Sequence, residues 1–235
     1  MTRTDMPSNL GDPLPVPPAL SGSYPVRRPN LVRPLVDGVP AFRRIGEAID
    51  HAQHSIWLTV AFYTEDFSFP DGRGSLFDVL GHAASRGLDV RVLFWRPNAE
   101  SSGYGRAFPG TATERALLRA RASRFSIRWD RAHAGFVQHQ KSWMIDAGQP
   151  SETAFVGGIN LTAKALSSPG HSDGGRHDLY VEVTGPSATD VHHNFVQRWN
   201  EASERSKEDG TWGPVGSTSL AFPVELSGWP AQGRP

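Results

Sequence analysis

Apolar positions repeat with a regular period from about residue 37 to about residue 203, and the period switches between that of a helix and that of a strand. "VPAFRRIGEAIDHAQ" sets Phe42, Ile45 and Ile49 on one helical face. "SIWLTVAFY" (55–63) is a nearly unbroken apolar run rich in β-branched and aromatic residues, as a strand buried on both faces requires. "SLFDVLGHAASRG" repeats Leu76, Phe77, Leu80 and Ala84 at helical spacing and stops at Gly87. "DVRVLFW" (89–95) predicts a second buried strand, residues 98–110 a loop, "TATERALLRARA" a helix and "FSIRWD" a short strand. "FVQHQKSWMID" is strand-like, "TAFVGG" is a short strand ending in paired glycines, and residues 167–177 form a loop. "DLYVEVTG" alternates as a strand does, and "PSATDVHHNFVQRWNEAS" is a helix with Ala188, Val191, Phe195 and Trp199 on one stripe.

Alternating strands and helices predict an α/β domain over residues 37–203, built on a mixed, mostly parallel sheet with helices on both faces. Residues 1–36 are rich in Pro, Ser and Gly and read as an extended arm over the surface. Residues 204–235 have many Gly and Pro residues and no period, which predicts an irregular linker or tail.

Composition narrows the function classes only at the edges. The chain of 235 residues is 38% hydrophobic and 20% charged, an ordinary globular balance. With 24 basic and 24 acidic residues there is no overall pull toward nucleic acid or an anionic membrane. Cysteine is absent, which excludes thiol catalysis, disulfides and Cys-ligated zinc. No apolar run has the length of a membrane span and no hydrophobic signal core opens the chain, so the expected location is cytoplasmic or peripheral to a membrane.

The chemistry concentrates in "HQKSWMID" (139–146). Residues two apart on a strand share a face, so His139 and Lys141 are expected to meet one bound anion together. An imidazole can attack phosphorus while an ammonium neutralises charge building on the equatorial oxygens. Asp146 has the opposite parity and is read as a strand-end support, although it completes the signature. Gly157, Gly158 and Asn160 follow at the tip of the next strand, where backbone N–H groups and an amide could hold a phosphate. His192 and His193 diverge by about 100° on a helix and are read as surface histidines, and His171, Asp173 and His177 as an ordinary polar loop. Trp57, Trp95, Trp129 and Trp199 are expected in the core, with Trp143 packed below the pocket floor.

"HQKSWMID", "VGGINLT" and "RHDLYVEVTGPSATDVHHNFVQRWN" together resemble the phospholipase D superfamily and its His-x-Lys-x4-Asp signature. The stretch "AGQPSE" lengthens the spacing after Asp146 and is expected to extend a hairpin. The resemblance implies a phospholipase D-like fold and a phosphoric diester hydrolase or transferase with a phosphohistidine intermediate and neither metal nor cofactor. It places His139, Lys141, Asp146 and Asp178 in the catalytic set, with Asp178 accepting a hydrogen bond from the imidazole, and Asn160, Gly157 and Gly158 at the phosphate. The family builds its site from two motif copies and this sequence holds one, so the expectation is a homodimer, or the N-terminal half of a two-motif protein. Phospholipid or another small phosphodiester is the favoured substrate, with peripheral membrane contact. A homodimeric nuclease is the alternative within the family, and an inactive half or phosphate-binding module the alternative outside it.

Overall fold

The computed structural model describes residues 24–97, 108–121, 125–131, 136–172, 174–202 and 219–228. The chain runs through strand β1 (Leu31–Val36), helix α1 (Gly38–His51) and strand β2 (Ser55–Val60), then a two-rung ribbon, β3 (Ser68–Phe69) and β4 (Gly74–Ser75). Helix α2 (Leu76–Ser85), strand β5 (Asp89–Trp95), helix α3 (Ala112–Ala120) and strand β6 (Ser126–Asp130) follow. Strands β7 (Ser142–Ile145), β8 (Thr153–Gly157) and β9 (Leu179–Thr184) lead into helix α4 (Pro186–Glu201).

Among the described residues, seven strands form one sheet in the order β1-β9-β8-β7-β2-β5-β6. β2 pairs in parallel with β5 and β5 with β6, each through a helical crossover, as parallel neighbours require. The remaining pairings, β1–β9, β9–β8, β8–β7 and β7–β2, are antiparallel. The sheet is mixed, as expected. Five strands (β1, β2, β5, β6, β8) run one way and β7 and β9 run the other, so the parallel character lies in strand direction more than in the pairings.

β2 is buried along its whole length, because both faces of the sheet are covered. Ile56, Leu58 and Val60 join Phe42, Ile45 and Ile49 of α1, Phe77 and Leu80 of α2, and Leu118 of α3 in the larger core. Trp57 turns to the other face, where Leu93, Met144 and Ala154 pack against Ala188, Phe195, Val196 and Trp199 of α4. Helices α2 and α3 each open on a reciprocal cap, Ser75 with Asp78 and Thr111 with Glu114, which satisfies N–H groups that have no partner inside the helix. Gly87 follows α2 with φ 90°, the left-handed stop that the sequence signals.

The described parts of both flanks pack on the domain more closely than an arm and a linker imply. Leu31–Val36 of the predicted arm is an edge strand against β9, and Pro34 is tolerated there because an edge strand has a side that donates no ladder bond. Only Leu35 of this strand is buried, so the one-sided pattern carries little signal. Ahead of it, the Arg27 Nε–H is shared by the two carboxylate oxygens of Asp190 of α4, at 2.8 and 2.9 Å. Residues 219–228 also return to the domain: Leu220 exchanges two 2.8 Å bonds with the Asn200 amide, and Ser227 bonds Thr189 and Glu152. Residues 98–107 of the predicted loop, and the rest of the predicted tail, lie outside the described residues.

Trp199 locks the end of α4. The Arg128 guanidinium lies 4.5 Å from its ring centroid and donates to its carbonyl at 2.5 Å, and Arg91 stands 5.3 Å from the same ring. A cation at a helix C-terminus is also attracted by the negative end of the helix dipole. Trp199→Ala is expected to lower stability by about 4 kcal/mol, since it opens a cavity and strips a buried arginine of its ring. Equilibrium unfolding in guanidinium chloride measures the loss.

Candidate active site

Four chain segments meet at one end of the sheet: the exit of β2, the entry to β7, the exit of β8 and the entry to β9. Lys141 and Asn160 line a shallow pocket there together with Phe62, Trp143 and Tyr180. Lys141 is only 5% exposed, and its Nζ donates to the His139 carbonyl at 2.9 Å. Burial draws its pKa down to about 8, and the Asp178 charge acts in the opposite direction. His139 is exposed, with its ring edge-on to Phe62 at 5.4 Å. Partial desolvation, with a smaller contribution from Lys141, holds the imidazole below its ordinary pKa. Phe62 also lies 5.7 Å from the Lys141 Nζ, so one ring is shared by both members of the pair.

The regular strand expected over 136–146 begins only at Ser142. The neighbours explain this. β2 ends at Val60 and its last pairing with β7 is Thr59↔Ser142, where the Thr59 hydroxyl accepts from Ser142 N at 3.1 Å. On the other side, Gly157 N reaches the Lys141 carbonyl at 3.2 Å, and the next N–H, of Gly158, turns away to the Leu179 carbonyl at 3.0 Å. Residues before Lys141 therefore have no ladder to join, and Gln140 is tied instead to Asn194 of α4 at 2.8 Å. His139 and Lys141 come together through a side-chain-to-backbone bond outside the regular strand, not through strand parity.

Gly157 and Gly158 serve close packing, and their N–H groups are already engaged in the sheet, which corrects the expectation that they present donors to a ligand. A Cβ on Gly157 would lie 2.7 Å from the Tyr180 Cα, and one on Gly158 would lie 2.7 Å from an Asp178 carboxylate oxygen. Asn160 follows with its side-chain oxygen buried and without a hydrogen-bond partner among the described residues. Asp178 accepts from its own neighbour's N–H, Leu179, at 2.7 Å. Among the described residues its carboxylate makes no hydrogen bond to the His139 ring.

Asp146 lies at the far end of β7 from His139. Its carboxylate accepts from the backbone N–H groups of Gln53 (3.0 Å), His54 (2.7 Å) and Ser55 (3.3 Å) and from the Ser151 hydroxyl (2.8 Å). Its backbone takes φ 53° and opens the turn over 146–152 that joins β7 to β8, an antiparallel hairpin.

Two groups of histidines differ from the sequence reading. His192 is 5% exposed, packs edge-on to Trp57 at 5.3 Å and stands 3.3 Å from Glu152, so it belongs to the interior and not to the surface. The loop read as merely polar brings His171 and His177 onto the buried carboxylate of Asp37, while Asp173 lies outside the described residues. The sequence signal for that cluster was the histidine pair itself; the Asp37 partner, far away in the chain, carries no pattern.

The geometry defines a mixed α/β domain with a pocket lined by Lys141 and Asn160 at the meeting of strand ends, and the exposed His139 beside that lysine. Residues 45–199 match the family model "Cardiolipin synthase, PLD-like domain", and the chain belongs to that family. It is 28% identical over 215 residues to phospholipase D alpha 2 of Oryza sativa subsp. japonica, covering 66% of this chain and 26% of that one. It is 27% identical over 191 residues to cardiolipin synthase A of Pseudomonas entomophila (strain L48), covering 78% and 36%. NucT from Helicobacter pylori is a solved structure similar at TM-score 0.43 and 13% identity, covering 78% of this chain and 99% of that one. The chain thus spans about a quarter to a third of the length of these two curated relatives, at 26% and 36%.

Asp146→Ala leaves three backbone donors at the entry to β2 without their shared acceptor. The expected loss is about 3 kcal/mol in a urea unfolding curve.

Proposed function

We propose that this domain cleaves phosphodiesters, with phospholipid or a similar small diester as substrate, and that His139 is its nucleophile or the acid/base partner of one. The observation that carries this reading is the exposed His139 imidazole beside the buried Lys141 ammonium, where Lys141 lines a pocket together with Asn160, whose amide oxygen is buried without a partner among the described residues. The similarity to phospholipase D alpha 2 and to cardiolipin synthase A supports the reaction class.

In this mechanism the neutral imidazole attacks phosphorus, and the bond from phosphorus to the leaving alcohol oxygen breaks. Lys141 leaves the His139 carbonyl for the non-bridging phosphate oxygens and neutralises charge as it builds there. The Asn160 amide donates to the same phosphate, and Asp178, whose charge favours the protonated ammonium, keeps Lys141 cationic. A second histidine protonates the departing alkoxide. Water, or another alcohol, then attacks the phosphohistidine and frees the imidazole, giving hydrolysis or transfer. Asp146 acts at a distance by fixing β7 against β2.

The second histidine comes from a second motif, and a second copy of this chain is the supplier we favour. Phe136 is 69% exposed and Val137 is also exposed, an apolar approach to His139 that a paired domain would cover. The expected result in light scattering coupled to size exclusion is a dimer at micromolar concentration; a monomer there, together with full activity, would refute the composite site.

His139→Ala is expected to lower turnover of a chromogenic phosphodiester by roughly 1000-fold or more. Unchanged turnover would eliminate His139 chemistry, and no turnover by the parent chain would leave a phosphate-binding module. Phosphatidylcholine vesicles and DNA, compared side by side, separate the lipid reading from the nuclease one.

The pH profile follows from the two shifts. His139, held below its ordinary pKa, stays neutral and nucleophilic to lower pH than a free histidine. Lys141 loses its proton as pH rises through about 8, so kcat/KM is expected to fall along an alkaline limb near that pH. In Lys141→Arg, where the cation does not titrate, that limb is expected to leave the profile. An unchanged limb would assign it to another group.

A further inference from the structure

Outside the His139–Lys141 pocket, three ligand-type atoms from distant parts of the chain converge. Asp37 closes the corner between β1 and α1 with a carboxylate 2% exposed. His171 Nε2 lies 3.1 Å from Asp37 Oδ2, and His177 Nδ1 lies 2.8 Å from Asp37 Oδ1. The two ring nitrogens are 2.9 Å apart.

Which of these atoms carries a hydrogen depends on the two ring tautomers. The other nitrogen of His171, Nδ1, faces the Gly175 carbonyl at 3.4 Å. A carbonyl only accepts, so in the tautomer with the hydrogen on His171 Nδ1 the ring's Nε2 offers a lone pair toward the carboxylate and the second imidazole. A proton on His177 Nδ1 can bridge to the buried carboxylate, and a divalent cation held by the same three atoms takes the place of that proton. The spacing also fits one ion. Ligand atoms about 2.0–2.1 Å from a tetrahedral centre stand about 3.3 Å from one another, so the three side chains need open by only about a few tenths of an ångström to hold one ion. Two imidazoles and a carboxylate form the donor set of borderline divalent ions, and the His177 side chain, 70% exposed, leaves a fourth position open to water.

We propose that Asp37, His171 and His177 form a binding site for a divalent transition-metal ion of the zinc class. The ion clamps the loop ahead of β9 onto the β1–α1 corner. Asp37 N already donates to the Asp178 carbonyl at 2.8 Å, so the clamp fixes the residue that sits against Gly158 and acts on Lys141. The role is positioning, and the site stands apart from the phosphodiester chemistry.

Zinc titrated into the chelator-stripped full chain by calorimetry is expected to bind at about one equivalent with Kd of about 10 µM or tighter. Cobalt(II) in its place is expected to give the intense visible bands of a tetrahedral centre. His171→Ala and His177→Ala should each weaken zinc binding by more than about 100-fold, beyond the effect of losing an outer-sphere partner, with far-ultraviolet circular dichroism unchanged. His177 is exposed, so its truncation does not threaten the fold. Absence of saturable zinc binding up to about 1 mM, or affinity kept within a few-fold in both variants, would overturn the proposal and leave a cluster held by shared protons.

Discussion

The carboxylate of Asp146 gathers the backbone N–H groups that open β2, and that knot pins β7 against β2 with Ile56 opposite Ile145. Register is an all-or-none matter on a sheet covered on both faces: a slip of one residue would send Trp143 to the α4 side and Met144 to the α1 side. Fixing one end of so short a strand fixes the other. Ser142 then meets Thr59, Lys141 falls just beyond the end of the ladder, and its ammonium arrives under Phe62. A carboxylate outside the pocket thus sets the position of the cation inside it.

The pocket owes its electrostatics to the same termination. Lys141 lies just outside the regular strand that begins at Ser142. At the ladder's end it is buried by aromatic neighbours yet still finds an acceptor, the carbonyl two residues back. Burial weakens its hold on the proton, and Asp178 offsets part of that loss. A chain with no net charge can therefore concentrate one usable cation at one place, which bulk composition does not reveal.

Much of this was legible in the sequence because buried strands and amphipathic helices leave strong periods. Ser55–Val60, Asp89–Trp95 and the α1 face of Phe42, Ile45 and Ile49 are read directly. What failed to show had weak or long-range signals. Leu31–Val36 buries a single residue, so its alternation is silent. The loss of strand structure before Ser142 is decided by where β2 and β8 stop, which the local sequence does not record. The paired glycines are plain in the sequence, but their reason, the approach of Tyr180 and Asp178, belongs to β9. His171 and His177 were visible as histidines, and their meeting with Asp37 required the fold.

The bond from Lys141 Nζ to the His139 carbonyl has a thermodynamic consequence. A ligand that claims the ammonium must outbid a neutral carbonyl already in place, so an uncharged ester gains little and an anionic diester gains a great deal. With the ammonium's pKa near 8, the same anion also raises its proton affinity, so that binding and proton uptake form a single linked equilibrium. In the proposed reaction one side chain and one peptide bond thus act as a charge filter, set by burial.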